Sequence, residues 1–150
     1  MFKDHMDTHN IESIKKSINP NDPYSVENAL NEVHKHEEKI LEYVPFLVEL
    51  LNEDWHYKHE DIVLLLQSSK DSRAVDVLYK TALKKYPYLD YDNSYALARK
   101  CTWALADIGT PEAKDKLFLL SKVEDEEISN YAKKRLGDWE KEKQRKAHKG

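Results

Sequence analysis

Apolar residues recur along the chain at spacings of three and four, which is the periodicity of one face of an α-helix. The pattern is clearest in residues 93–120, where two such segments meet at the joint Asp107-Ile108-Gly109-Thr110-Pro111. Gly109 suits the left-handed position that closes a helix, Thr110 can cap the next helix, and Pro111 suits a first helical turn. The pattern therefore predicts two helices, joined so tightly that they pack antiparallel.

The leucines that this pattern places inside the protein are evenly arranged along the chain. They are Leu47, Leu66, Leu78, Leu105, Leu117 and Leu136, at intervals of 19, 12, 27, 12 and 19 residues. Removing an eight-residue insertion, Lys85–Asp92, from the middle interval leaves a 31-residue repeat of two helices. A period of this length is typical of helical solenoids, in which each hairpin packs on the next.

Three segments carry a family resemblance: HEDIVLLLQSSKDSRAVDVLYKTAL, ALADIGTPEAKDKLFLL and ISNYAKKRLGDW. They resemble the HEAT-like repeat of the phycobilisome-lyase type. The resemblance implies an all-α fold, a right-handed α-solenoid of about three to four HEAT-like hairpins with no β-sheet. Residues 1–150 would then form one domain, with a degenerate N-terminal cap at 1–36, three repeats at 37–139 and a basic tail at 140–150.

Prolines divide the first third of the chain. An isoleucine stripe predicts a short helix that stops near Asn19, because two prolines follow it. The apolar pattern of residues 25–51 contains Pro45, and a proline inside a helix removes one hydrogen bond and crowds the preceding turn. We therefore expect two helices, from about Ser25 to Lys35 and from about Glu37 to Leu51, with one bent helix as the alternative.

Composition and charge narrow the class of partner. The chain has 35% charged residues and a net charge of −4, which disfavours nucleic acid or an anionic membrane and favours a basic protein. The start, MFKDHMDTHN, lacks the apolar run of a secretory signal, and no stretch approaches the roughly 20 apolar residues of a membrane span. The single cysteine, Cys101, lies on an apolar stripe, as expected for a buried thiol in a reducing cytoplasm.

Helical phase predicts one outward surface on the second helix of each repeat. The positions two, five and six residues before the inward leucines point away from the core: Leu64, Asp61 and Glu60; Trp103, Lys100 and Arg99; Lys134, Tyr131 and Asn130. Trp103 is unusual there, because a large aromatic facing water is uncommon and aromatic residues dominate binding energetics. It is either a partner anchor or is covered by the inserted loop.

The insertion contains YPYLDYD, residues 86–92, with three tyrosines and two aspartates. It covers apolar surface between helices, or contacts a partner with Tyr88 and Tyr91 as anchors and Asp90 and Asp92 as charges, and both roles can hold together. The segment DWHYKHED, residues 54–61, lies on the same predicted rim.

Histidines in that segment raise the question of a metal. Within the HEAT-like superfamily, di-iron deoxyhypusine hydroxylases look similar in carrying His-Glu pairs in several second helices. Here His59-Glu60 is one such pair, but the equivalent positions are Ala98-Arg99 and Ser129-Asn130, so a two-metal cage cannot form. A weak site at His56 and His59 is the alternative to a hydrogen-bonded histidine at a helix start, which we favour. We expect no metal and no cofactor.

No other pattern points to catalysis. The chain has no glycine-rich phosphate loop, since its three glycines are Gly109, Gly137 and Gly150. Cys101 lacks the exposed, electropositive setting of a nucleophile because its helical phase is inward. We therefore expect a binding protein rather than an enzyme.

The motifs DWHYKHEDIV, YPYLDYD and ALARKCTWALADIGT also resemble small stand-alone bacterial HEAT-repeat proteins, some of which are immunity proteins of contact-dependent or polymorphic toxin systems. This resemblance implies that the chain binds a basic nuclease toxin, such as an RNase, and covers its active site. The candidate contact residues are Trp55, His56, Tyr57, Glu60, Asp61, Tyr88, Asp90, Tyr91, Asp92, Arg99, Lys100, Trp103 and Asp107.

Two other functions remain open. An adaptor or scaffold would use the same surface for another cytoplasmic protein. HEAT-like repeats also occur in DNA glycosylases that grip alkylated duplexes, but such proteins need a basic groove, whereas the predicted surface here is mixed or acidic.

Overall fold

The computed structural model describes residues 11–149, with side chains for all of them except Tyr91, Glu140 and residues 142–149. Residues 1–10 of the predicted cap and Gly150 of the predicted tail lie outside the described residues. Within the described range the chain forms eight α-helices and no β-strand, which confirms the all-α prediction. The helices are α1 Ile11–Ser17, α2 Pro23–Lys35, α3 Ile40–Leu51, α4 His59–Ser69, α5 Val75–Leu83, α6 Tyr91–Ile108, α7 Pro111–Leu120 and α8 Glu126–Lys149.

The helices contact one another in two rows. Helices α3, α5 and α7 contact in succession and form the first row, and α4, α6 and α8 contact in succession and form the second row. Each first-row helix also packs on the second-row helix that follows it in the chain. Helix α6, in the middle of the second row, therefore touches α4, α5, α7 and α8.

The core follows the predicted leucine pattern. Five of the six predicted positions are fully buried: Leu47, Leu66, Leu78, Leu105 and Leu117. Leu136 is only half-buried, because α8 ends the second row and has its main helix contacts with α6 and α7. Each buried leucine side chain contributes about 1.5–3 kcal/mol relative to exposure, so this stripe holds the hairpins together.

The joint between α6 and α7 has the predicted geometry. Gly109 takes a left-handed φ of 72°, and its N–H donates to the carbonyl of Leu105. The Thr110 hydroxyl accepts from the N–H of Ala113 at 3.2 Å, and Pro111 is the first residue of α7. In the preceding repeat Asp71 takes the capping role and accepts from the N–H of Arg73 at 2.8 Å.

Residues 25–51 form two helices rather than one bent helix. The helical hydrogen-bonding is interrupted at His36, with φ −132°, and the 3₁₀ turn Glu37–Lys39 leads into α3. Pro45 lies inside α3 and cannot donate to the carbonyl of Leu41 one turn earlier. Arg73 replaces that donor, with Nη2 3.0 Å from the Leu41 oxygen, and so joins α3 to the turn before α5.

None of the helices in the described part of the chain combines the length and the apolarity that a membrane crossing requires.

The same substitution at two glycines should have opposite effects on stability. A Cβ at Gly109 would lie 3.7 Å from the nearest atom, so Gly109→Ala meets no clash but places alanine in the left-handed region. We expect a loss of about 1–2 kcal/mol in the free energy of unfolding. Gly137 lies in α8 with open space around it, and Gly137→Ala should gain about 0.5–1 kcal/mol.

Urea denaturation of the two variants and the unsubstituted protein measures both effects. A gain in stability in Gly109→Ala would contradict the assignment of Gly109 as a helix terminator, and a loss in Gly137→Ala would contradict the open space around Gly137.

Candidate functional site

Trp103 lies at the centre of the second row, on α6, and 42% of its surface is exposed. The guanidinium carbon of Arg135, on α8, lies 3.5 Å from the centre of the indole ring. Arg135 is itself only 7% exposed, and its Nη2 is 3.6 Å from Asp138. A cation stacked on an aromatic face is worth about 0.5–2 kcal/mol, so the indole is held in place while part of it remains open to solvent.

Polar pairs between α4 and α6 surround Trp103. Lys100, one turn before it, forms an ion pair with Glu60. Asp107, one turn after it, accepts a hydrogen bond of 2.7 Å from the Gln67 side chain. Leu64 has 44% of its surface exposed on α4. The surface is therefore an aromatic and apolar centre between an ion pair and a hydrogen-bonded pair, both of which join α4 to α6.

Asp61 is also bonded within the protein. Its carboxylate lies 3.1 Å from Nε2 of His34 on α2, whose Nδ1 is 3.4 Å from Glu37. Burial lowers the pKa of His34, but the hydrogen bonds to Asp61 and Glu37 outweigh this effect, and the net shift is upward. Of the carboxylates expected to face a basic partner, Glu60, Asp61 and Asp107 thus already have internal partners.

The inserted loop packs on the start of α4. His59 is fully buried and stacks on Tyr86, with ring centres 4.0 Å apart. The Tyr88 hydroxyl donates to His59 Nδ1 at 2.8 Å, and His59 Nε2 donates to the carbonyl of Glu53 at 2.6 Å. Two loop tyrosines thus cover His59, while Trp103 remains exposed.

His56 is a second buried, neutral histidine in this cluster. Its ring stacks on His59 at 4.1 Å. The N–H of Lys58 donates to His56 Nδ1 at 3.0 Å, and His56 Nε2 donates to the carbonyl of Leu50 at 2.7 Å. Burial lowers the pKa of both histidines, that of His59 to about 4.

Hydrogen bonds therefore occupy all four ring nitrogens of the candidate metal pair. Among the described residues, no group of three or more histidine, cysteine or carboxylate side chains is arranged to hold a metal ion.

The predicted contact residues divide by exposure. Tyr57, Asp90, Asp92, Arg99 and Trp103 are exposed, and Trp55, Glu60, Asp61, Tyr88, Lys100 and Asp107 are partly buried. The side chain of Tyr91 lies outside the described residues. Asp90 has a structural role as well, because its carboxylate caps α6 by accepting from the N–H of Asn93 at 2.8 Å.

His56 needs correction as a contact residue. It is fully buried, so its ring is not part of the surface. Helical phase could not reveal this because His56 lies in the turn between α3 and α4, where the carbonyl of Leu50 in α3 and the N–H of Lys58 bind its two ring nitrogens.

Arg135 is the residue that sequence reasoning missed. It directly precedes the inward Leu136, and the equivalent positions in the two earlier repeats are Leu65 and Ala104, both buried. An arginine at a position that is apolar in the other two repeats could have indicated a specific contact, because a buried cation needs a partner.

No protein-family model matches this chain, and neither a curated protein nor a solved structure matches it significantly. The resemblance to HEAT-like repeats therefore remains a prediction.

The pKa values of the exposed His34 and the buried His59 should lie on opposite sides of the ordinary histidine value of about 6.5. The pKa of His34 is raised, so its ring signal should titrate above that value, whereas His59 should remain neutral down to about pH 5. Histidine C2–H signals in NMR spectra, assigned with single substitutions, measure both. A midpoint near 6.5 for His59 would contradict the buried, neutral ring.

This titration also predicts acid sensitivity. The pKa of His59 is lower in the folded protein than in the unfolded chain. Its contribution to the free energy of unfolding is therefore complete above about pH 6.5 and is lost as the pH falls towards 4. Between pH 7 and pH 5 this one group should lower the free energy of unfolding by about 1–2 kcal/mol.

Proposed function

We propose that this chain is an α-solenoid of HEAT-like hairpins that binds a protein partner through its second row. The contacts within each row and between each first-row helix and its successor are those expected when helical hairpins are stacked in order. The 31-residue leucine period and the capped joints at Asp71 and Thr110 support the same arrangement. In such stacks one row of helices offers a continuous surface to a partner.

The observation that carries the proposal is the exposed indole of Trp103 seated on Arg135. Tryptophan and arginine are the residues most enriched among binding hot spots. The ring is already ordered by the cation beneath it, so a partner loses little entropy in fixing it. Covering the remaining indole area, on the order of 100 Å², would contribute about 2 kcal/mol.

The specific partner we propose is a bacterial nuclease toxin, which the chain would neutralise as an immunity protein by covering the active site. Nucleases present basic clefts, and two exposed aspartates lie where the inserted loop meets α6: Asp90 caps the helix and Asp92 is in its first turn. Glu60 and Asp61 would join them if cations of the toxin replaced Lys100 and His34 as their partners. Such toxins act on RNA or DNA, so the proposal also implies a cytoplasmic protein.

An adaptor for another cytoplasmic protein is the second candidate, and one observation favours it. Glu60, Asp61 and Asp107 are already bonded inside the protein, so their carboxylates do not need a cationic partner. A partner of mixed charge would bind there without displacing any of these contacts.

Trp103→Ala should separate binding from folding. We expect binding to a cognate nuclease toxin to weaken thirtyfold or more, corresponding to about 2–4 kcal/mol at a hot spot. Phe118→Ala is the matched control, because Phe118 is 50% exposed on α7 in the first row and should leave binding unchanged. Calorimetry with a catalytically inactive toxin gives the affinities.

A nuclease encoded beside this chain's gene would be the candidate toxin, and its activity would be measured with equimolar protein. Full nuclease activity in excess protein would exclude the toxin proposal. Equal loss of affinity in Trp103→Ala and Phe118→Ala would exclude the second row as the binding surface.

A further inference from the structure

A cavity of about 270 Å³ opens between α1, the turn that follows it and the C-terminal half of α3. Phe46 and Leu50 of α3 are buried and line it, and Trp55 lies beside them. Glu49 and Glu53 are exposed carboxylates on the same lining, and Lys15 of α1 also lines it. The cavity therefore combines an apolar floor with a charged rim.

The wall of the cavity is held by hydrogen bonds. Trp55 Nε1 donates to a Glu53 carboxylate oxygen at 3.1 Å, which fixes the indole and the carboxylate relative to each other. The N–H of Glu53 donates to the carbonyl of Leu50 at 3.1 Å, which adds a helical turn after the end of α3. Glu49 and Glu53 therefore lie about one turn apart. The Trp55 ring also meets the buried His56 edge-on, at 5.6 Å.

This lining fits one kind of group, a long aliphatic stem that ends in a cation. Apolar and aromatic surfaces cover methylene groups, an indole attracts a cation, and carboxylates pair with ammonium or guanidinium. The stem would cross the floor at Phe46 and Leu50, and the cation would reach Glu49 and Glu53 at the rim. Two carboxylates outnumber the one ammonium of Lys15 among the lining residues, so the balance of charge favours a cation.

We propose that this cavity receives a lysine or arginine side chain from the protein partner. The proposal rests on the function proposed above and specifies a chemical feature of that partner, a basic side chain that reaches the cavity between α1 and α3. The volume suits one long side chain rather than a peptide segment. Trp55, expected from the sequence to contact a partner directly, acts here as one wall of the cavity.

The Trp55 indole N–H signal in ¹⁵N NMR spectra tests this directly, with Trp55→Phe to assign it. The probes are Nα-acetyl-lysine amide and Nα-acetyl-arginine amide, and Nα-acetyl-norleucine amide is the matched probe without charge. We expect saturable shifts at millimolar concentrations of the charged probes and none with the norleucine probe.

Variants of the rim provide the second arm of the test. Glu49→Gln combined with Glu53→Gln should weaken probe binding at least fivefold, since glutamine retains an acceptor for Trp55 but no charge. Lys15→Gln should strengthen binding about twofold, because it removes a competing cation. Glu42→Gln, on α3 but outside the cavity lining, should have no effect.

Three results would overturn the proposal. They are equal shifts with the norleucine probe, unchanged binding in the double glutamine variant, and binding of pentane-1,5-diamine tenfold tighter than of acetyl-lysine amide. Tighter binding of the diamine would indicate that the cavity binds a free amine rather than a protein side chain. Trp103→Ala should leave probe binding intact, so this test and the toxin test can fail independently.

Discussion

The burial of α6 against four neighbouring helices is the constraint on which the rest of the structure depends. Its inward residues, including Leu97, Cys101 and Leu105, are fully or almost fully enclosed. A helix packed on so many sides has one narrow strip left for solvent, and on α6 this strip carries Arg99 and Trp103. The candidate surface is therefore a consequence of core packing, because Trp103 occupies a position with no place in the interior.

Polar contacts between neighbouring helices then decide which charges remain available. Glu60 with Lys100 joins α4 to α6, and Asp61 with His34 joins α4 to α2. These exposed or half-exposed pairs contribute little stability individually, but each removes a carboxylate from the set open to a partner. A partner of the proposed binding surface would therefore be selected more by the shape around the indole than by net charge.

The two buried histidines explain the course of the inserted loop. His59 needs an acceptor and a donor for its ring nitrogens once it is buried, and the loop supplies the donor through the Tyr88 hydroxyl. Tyr86 adds a stacked ring. Because these two tyrosines pack at the start of α4, they leave Trp103 exposed.

The sequence by itself determined the local structure: the helices, the all-α class, the terminator at Gly109, the cap at Thr110 and most of the inward leucines. These features depend on periodicity and on residues one to four positions apart, which a single sequence displays. Only the tertiary structure decided that His56 is buried, that Arg135 lies under Trp103 and that Arg73 serves the carbonyl freed by Pro45. Two of these contacts join residues about 32 positions apart, and the third lies in a turn without helical phase, so no local pattern records them.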